Sequence, residues 1–211
     1  VLRINTMKEV AKPMVVVFDL GKVLVDFDYS IAARKINVRS AMPLKNLHQF
    51  LGDSPWLAQF ETGLLTRNQF FSEIQKLTGF PGNVDEFSDY FADIFLPISP
   101  MIELHAALRQ QKIPTYIFSN TNDIAVEHIL RNFPFFKNFD GYIFSYKIGA
   151  MKPDAKIYKA LEAMAGKRGG EILYIDDRPE NIEAGAARGW RTILHGSPEK
   201  TRAALNEELA K

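Results

Sequence analysis

From Met14 to Phe18 five apolar residues (MVVVF), mostly β-branched, run without a break and stop at Asp19. Such a run predicts a strand buried on both faces. Gly21 follows two residues later, where it is expected to let the backbone turn sharply, and Val23 to Val25 continue as an apolar step. The rhythm then changes. Between about Asp28 and Pro97 apolar residues recur at helical spacing, as at Phe70, Phe71, Ile74 and Leu77. Punctuation falls at Pro43, Gly52-Asp53-Ser54-Pro55, Gly63 and Gly79-Phe80-Pro81-Gly82. The segment predicts four or five short helices and no convincing strand, an all-helical insertion.

From Ser99 strands and helices alternate. Ser99-Pro100 reads as an N-cap followed by proline at the first helical position, opening a helix to about Gln111. Strands are predicted at Pro114–Ser119, Gly141–Ser145, Glu171–Asp176 and Arg191–Leu194. Helices are predicted at Asp123–Asn132, Asp154–Ala165 and Pro179–Arg188, with a last amphipathic helix capped by Ser197-Pro198. That alternation predicts an α/β protein: a Rossmann-like parallel sheet flanked by helices, with a small helical unit inserted after the first strand. The expected division is a core of 14–27 and 98–211, an insertion of 28–97 and a polar leader of 1–13, with Met7 or Val1 as possible starts. The leader lacks the apolar stretch of a secretory signal.

Composition narrows the classes. The 211 residues include 26 Lys plus Arg against 25 Asp plus Glu, a net charge of +1, which argues against a dedicated nucleic-acid or membrane-surface binder. There is no cysteine, hence no disulfide, thiolate metal site or cysteine nucleophile. No apolar run approaches the ~20 residues that span a bilayer. The expected location is the cytoplasm, as a monomer or homodimer. The four histidines are scattered without an i, i+4 pair, and no Walker-type loop, GxGxxG or GxSxG stretch is present.

In a parallel sheet all carboxyl ends face one side. There the predicted strands deliver Asp19, then Ser119-Asn120-Thr121, then Asp176-Asp177, with Lys152 before the helix near Pro153-Asp154. Singly, each has an ordinary explanation as a turn residue, a solvated lysine or a helix cap. Jointly they place a hydroxyl, an ammonium and three carboxylates around one crevice.

Those residues carry a resemblance. Asp19 in VVVFDLGKVLVD, Ser119 in YIFSNT, Lys152 in GAMKPD and Asp176-Asp177 in YIDDRPEN resemble, in order and spacing, the four motifs of the haloacid dehalogenase-like hydrolases with a small helical cap. The resemblance covers about residues 14 to 195. Phe60-Glu61-Thr62-Gly63 with Phe70 resembles the cap of that group. The wording FDLGxVLVD with SNT and DDxxEN looks most like bacterial sugar-phosphate phosphatases, α-D-glucose-1-phosphate phosphatases among them.

The resemblance implies a magnesium-dependent phosphatase with Asp19 as nucleophile and a small phosphorylated metabolite as substrate. Like-charge repulsion between an aspartate and a phosphate is about 4 kcal/mol per charge pair at 4 Å near a protein surface. Magnesium removes it and polarises the phosphoryl oxygens. Asp19, the Gly21 carbonyl and Asp177, with or without Asp176, would hold the ion. Lys152 would act in catalysis and in phosphate binding, together with Gly21, Ser119, Asn120 and backbone N–H groups at a helix start.

One departure stands out. Phosphatases of this group usually carry a second aspartate two residues after the nucleophile, as general acid and base, and here that position is Gly21. Loss of a positioned acid typically costs ~10²–10⁴ in rate. Asp26, a cap residue or water would have to supply the proton, or a good leaving group would have to depart without one. Trp56, Phe60 and Glu61 are the cap residues expected near the site, with Phe60 better explained as cap core. Two competing expectations remain: a dehalogenase-type hydrolase, which needs no metal and leaves Asp176-Asp177 superfluous, and a non-catalytic phosphate- or metal-binding module.

Overall fold

The computed structural model describes residues 15–42 and 45–211. The leader, Met14 and Pro43 lie outside them. Strands are β1 (Val15–Phe18), β2 (Val25–Phe27), β3 (Phe95–Pro97), β4 (Thr115–Ser119), β5 (Gly141–Phe144), β6 (Ile172–Asp176) and β7 (Arg191–Leu194). Five form a parallel sheet in the order β5-β4-β1-β6-β7. The unbroken apolar run thus becomes the central strand, paired on both edges, with Phe18 opposite Ile117 and Ile175. Sheet and flanking helices form the α/β fold expected.

Side chains alternate across a strand, and β1 uses both faces. Val16 and Phe18 pack with Met101, Leu104 and Leu108 of α6 (Ser99–Gln110) and with Leu205 of α11 (Pro198–Ala210). Val15 and Val17 pack with Ile157, Tyr158 and Leu161 of α9 (Ala155–Ala165) and with Trp190, beside α10 (Pro179–Ala187). Between β4 and β5 lies α7 (Asp123–Asn132), and a one-turn helix, α8 (Ser145–Ile148), follows β5.

Residues 28–97 hold α1 (Tyr29–Arg39), α2 (Leu47–Asp53), α3 (Pro55–Glu61), α4 (Arg67–Thr78) and α5 (Val84–Ala92). They enclose a second cluster that includes Phe60, Phe70, Phe80, Phe87 and Phe91. Phe60 stacks on Phe70 with ring centroids 4.7 Å apart.

Three expectations need correction. Phe95–Pro97 is a strand, pairing antiparallel with β2 to form a short ribbon at the stem of the helical unit. Its three apolar residues are mostly exposed, so no alternation marks it. Ser99 is the first helical residue of α6 and Ile98 its cap, without a side-chain bond. Gly21 is also not the turn residue that visits left-handed backbone; Lys22 is, at φ 60. Gly21 answers a different need, since a Cβ there would lie 2.9 Å from Phe27 Cε1.

Candidate active site

Asp19 follows β1, where its N–H donates to the Ile175 carbonyl (2.9 Å) and so prolongs the pairing with β6. Its Oδ1 accepts from the Leu20 N–H at 2.6 Å and lies 3.0 Å from Lys152 Nζ. Its Oδ2 takes no hydrogen bond among the described residues. The Lys152 ammonium also donates to the Phe118 carbonyl (2.9 Å) and to Asp176 Oδ2 (2.6 Å). Burial works against its charge, but the carboxylates of Asp19 and Asp176 outweigh burial and hold it above the usual lysine value.

The neighbouring carboxylates differ in kind. Asp176 is 0% exposed, and both its oxygens are engaged. Oδ1 accepts from the Arg178 N–H (2.8 Å) and Asn181 Nδ2 (3.0 Å); Oδ2 accepts from Lys152 and the Tyr174 hydroxyl. Burial raises its pKa, yet these partners, Lys152 foremost, leave it below the ordinary value. Asp177 is half-buried, and its side chain has no such set of donors. Burial and then Asp176 push it up. Burial also pushes Asp19 up, against the pull of Lys152.

Asp19, Asp176 and Asp177 each offer an oxygen within 4.8 Å of the others. Three carboxylates against one ammonium leave excess negative charge in a buried place, and hard oxygen donors of this type suit a divalent cation such as magnesium. The residues fit the ion.

Asn120 is drawn in differently from expectation. Its Oδ1 accepts from the Lys152 N–H (2.7 Å) and its Nδ2 donates to the Lys152 carbonyl (3.0 Å), so the side chain braces the loop that carries the ammonium. Ser119 is buried at the end of β4, its hydroxyl 3.3 Å from the Asn120 carbonyl. Asn122 then caps α7 by accepting from the Ala125 N–H. The start of α7, where the first N–H groups of a helix have no intrahelical partner, therefore lies close after Ser119.

These groups open on a cleft bordered by Asp19, Gly21, Ser119, Asn120, Lys152 and Asp177 from the sheet. From the helical unit come Tyr29, Leu57 and Glu61, with Phe27 from the stem and Arg178 and Asn181 beyond Asp177. Of Trp56, Phe60 and Glu61, expected near the site, only Glu61 borders the cleft; Trp56 packs on Phe50 (centroids 5.1 Å apart) and Phe60 is buried within the cluster of the helical unit. Phe27, Tyr29 and Arg178 were not foreseen. Only tertiary folding of the stem over Gly21 brings the two aromatics to the cleft, whereas Arg178 was already visible one residue after Asp177.

The family profile of haloacid dehalogenase-like hydrolases matches residues 13–189, most of the chain. The chain belongs to that family. This hydrolase is 25% identical over 177 residues to a sesquiterpene phosphatase of Aspergillus oryzae, covering 82% of this chain and 85% of the relative. It is 26% identical over 210 residues to a phosphatase of Mycobacterium tuberculosis, covering 92% and 93%. In fold it resembles a haloacid dehalogenase family enzyme of Bacteroides thetaiotaomicron crystallised with magnesium and inorganic phosphate. That match has a TM-score of 0.78 at 24% identity, covering 87% of the hydrolase and 94% of the other chain.

Proposed function

We propose that the hydrolase is a magnesium-dependent phosphatase of small phosphate monoesters, sugar phosphates in the first place, working through a phosphorylated Asp19. The observation that carries the reading is Asp19 itself: a carboxylate at the end of the central strand, with one oxygen held by Lys152 and Leu20 and the other uncommitted. In this reading Oδ2 attacks phosphorus, and the covalent intermediate divides one hard displacement into two easier ones. Lys152 holds Oδ1 and offsets the charge gathering on the phosphoryl oxygens. The Ser119 hydroxyl and the N–H groups at the start of α7 bind those oxygens, and Asn120 keeps the Lys152 loop in place.

Magnesium, when bound, neutralises the repulsion between carboxylate and phosphate and polarises the phosphoryl group. Asp19, the Gly21 carbonyl and Asp177 would hold it. Asp176, saturated by its own donors, serves Lys152 as a positioning partner. The unit of residues 28–97 acts as the cap, covering the cleft and reading the alcohol side of the ester. Support for a sugar comes from the FDLGxVLVD wording and from the polar groups of Tyr29, Glu61 and Arg178 around that end of the cleft.

The test is phosphate release from 4-nitrophenyl phosphate and from glucose 1-phosphate, with magnesium and with a chelator, for the wild type and Asp19→Asn. The reading requires release that needs both the ion and Asp19. Release that persists in the chelator and in Asp19→Asn overturns it.

A further inference from the structure

The proposed chemistry leaves one proton without a donor. An alkoxide departing from phosphorus is a strong base, and its loss is eased when an acid protonates it as the P–O bond breaks. Gly21 offers no side chain, and the Phe27 ring fills the space one would enter. The three contacts of the Lys152 ammonium go to Phe118, Asp176 and Asp19. Asp26 is paired with Lys22, whose hydrogen bond holds its carboxyl below the ordinary value, and it does not border the cleft. Asp176 is saturated and Asp177 is given to the metal. Among the carboxylates bordering the cleft, that leaves Glu61.

Glu61 is the last residue of α3 and borders both the main cleft and a smaller hollow shared with Gly21, Ser119 and Asn122. Its place is set from two residues away. Gly63, at φ 73, lies so close to the core that a Cβ would come within 2.3 Å of the Tyr146 carbonyl. The end of α3 is thereby seated against α8, the one-turn helix that follows β5. The Glu61 carboxyl makes no hydrogen bond or ion pair among the described residues. The titratable groups facing it are Tyr29 from α1 and Arg178 from the loop after β6. Burial outweighs Arg178 and pushes Glu61 up to about 7, so near neutrality it holds a proton in part of the molecules and can give it up, as an acid–base catalyst must.

We propose that Glu61, delivered by the cap, is the general acid and base of this hydrolase, standing in for the side chain absent at Gly21. The inference rests on the phosphatase reading. In the first step the bond from Asp19 Oδ2 to phosphorus forms, the ester P–O bond breaks, and the Glu61 proton passes to the leaving oxygen, releasing a neutral alcohol. In the second, Glu61 takes a proton from water as that oxygen attacks phosphorus. The Asp19–phosphorus bond then breaks to return the carboxylate and inorganic phosphate.

The test is the dependence of kcat/KM on leaving group across 4-nitrophenyl phosphate, phenyl phosphate and a simple alkyl phosphate, for the wild type, Glu61→Gln and Glu61→Asp. This ratio reports steps up to alcohol release, so it isolates the acid role. Glu61→Gln should change the nitrophenyl ester little, because nitrophenolate leaves unaided, and cut the alkyl ester by ~10²–10⁴. Glu61→Asp should recover part of that loss. An equal fall along the whole series, or none, overturns the assignment of Glu61 and leaves the phosphatase reading standing. Absence of wild-type release from every ester overturns both.

Discussion

The ring of Phe27 occupies the space that a side chain on Gly21 would enter: a Cβ placed there comes within 2.9 Å of Phe27 Cε1. That ring is held in turn by Tyr29 and Phe95, with centroids at 5.7 and 6.1 Å, and by the Lys22 ammonium over its face at 4.6 Å.

Gly21→Asp is therefore expected to destabilise by about 1–3 kcal/mol, the usual cost of overpacking, and not to supply a working acid. Adding Phe27→Ala should relieve the clash, so that the double variant loses less than the two single losses combined. Urea unfolding of the two singles and the double closes the cycle. Additive losses would mean that the ring is not the obstacle.

Asp176 and Asp177 should respond oppositely to the same change. Asp176→Asn takes the charge from a fully buried partner of Lys152, and breaking a buried pair costs about 3–5 kcal/mol. Asp177→Asn removes a carboxylate that burial and Asp176 already disfavour, so stability should hold or rise while the increase in Tm on adding magnesium disappears. Thermal unfolding with and without magnesium separates them. A magnesium response that survives Asp177→Asn would transfer the ligand role to Asp176.

Gly63→Ala should be costly out of proportion to one methyl group. The added carbon would meet the Tyr146 carbonyl oxygen at 2.3 Å, and φ 73 is a conformation that residues with a Cβ seldom adopt. A loss of more than about 1 kcal/mol is expected, together with lower kcat/KM because the end of α3 moves. Unchanged stability would show that the end of α3 is not seated through this contact.

His105, on α6, meets Thr115 Oγ1 at 3.1 Å and stacks on Phe139 at 3.8 Å between ring centroids. Burial, helped by Arg109, pushes its imidazole from 6.5 down to about 4. Between those values the unfolded chain binds the proton and the folded one does not. The contribution is therefore complete above pH 6.5 and is lost as pH falls toward 4. His105→Phe, which keeps a ring against Phe139, should flatten the pH dependence of unfolding free energy in that window relative to wild type. Parallel profiles would assign the slope to other groups.

What the chain determined by itself was the framework: an apolar run that reads as a strand buried on both faces, an alternation of strands and helices that makes a parallel sheet, and polar residues at successive strand ends. Asp19, Ser119, Lys152 and Asp176-Asp177 could be read because parallel topology sends every strand end to one side, so local order along the chain becomes proximity in space. Contacts made across the chain decided the rest. Asp176 and Asp177 are adjacent and chemically identical, and only packing buries one among donors and leaves the other open. Asn120 lies 32 residues from the Lys152 backbone it braces, and β3 is too short and too exposed to leave a periodic trace. Phe27 over Gly21 and Glu61 at the cleft follow from how the helical unit folds back on the sheet. Periodicity records which face of an element is buried; which distant group meets that face is settled by close packing in three dimensions.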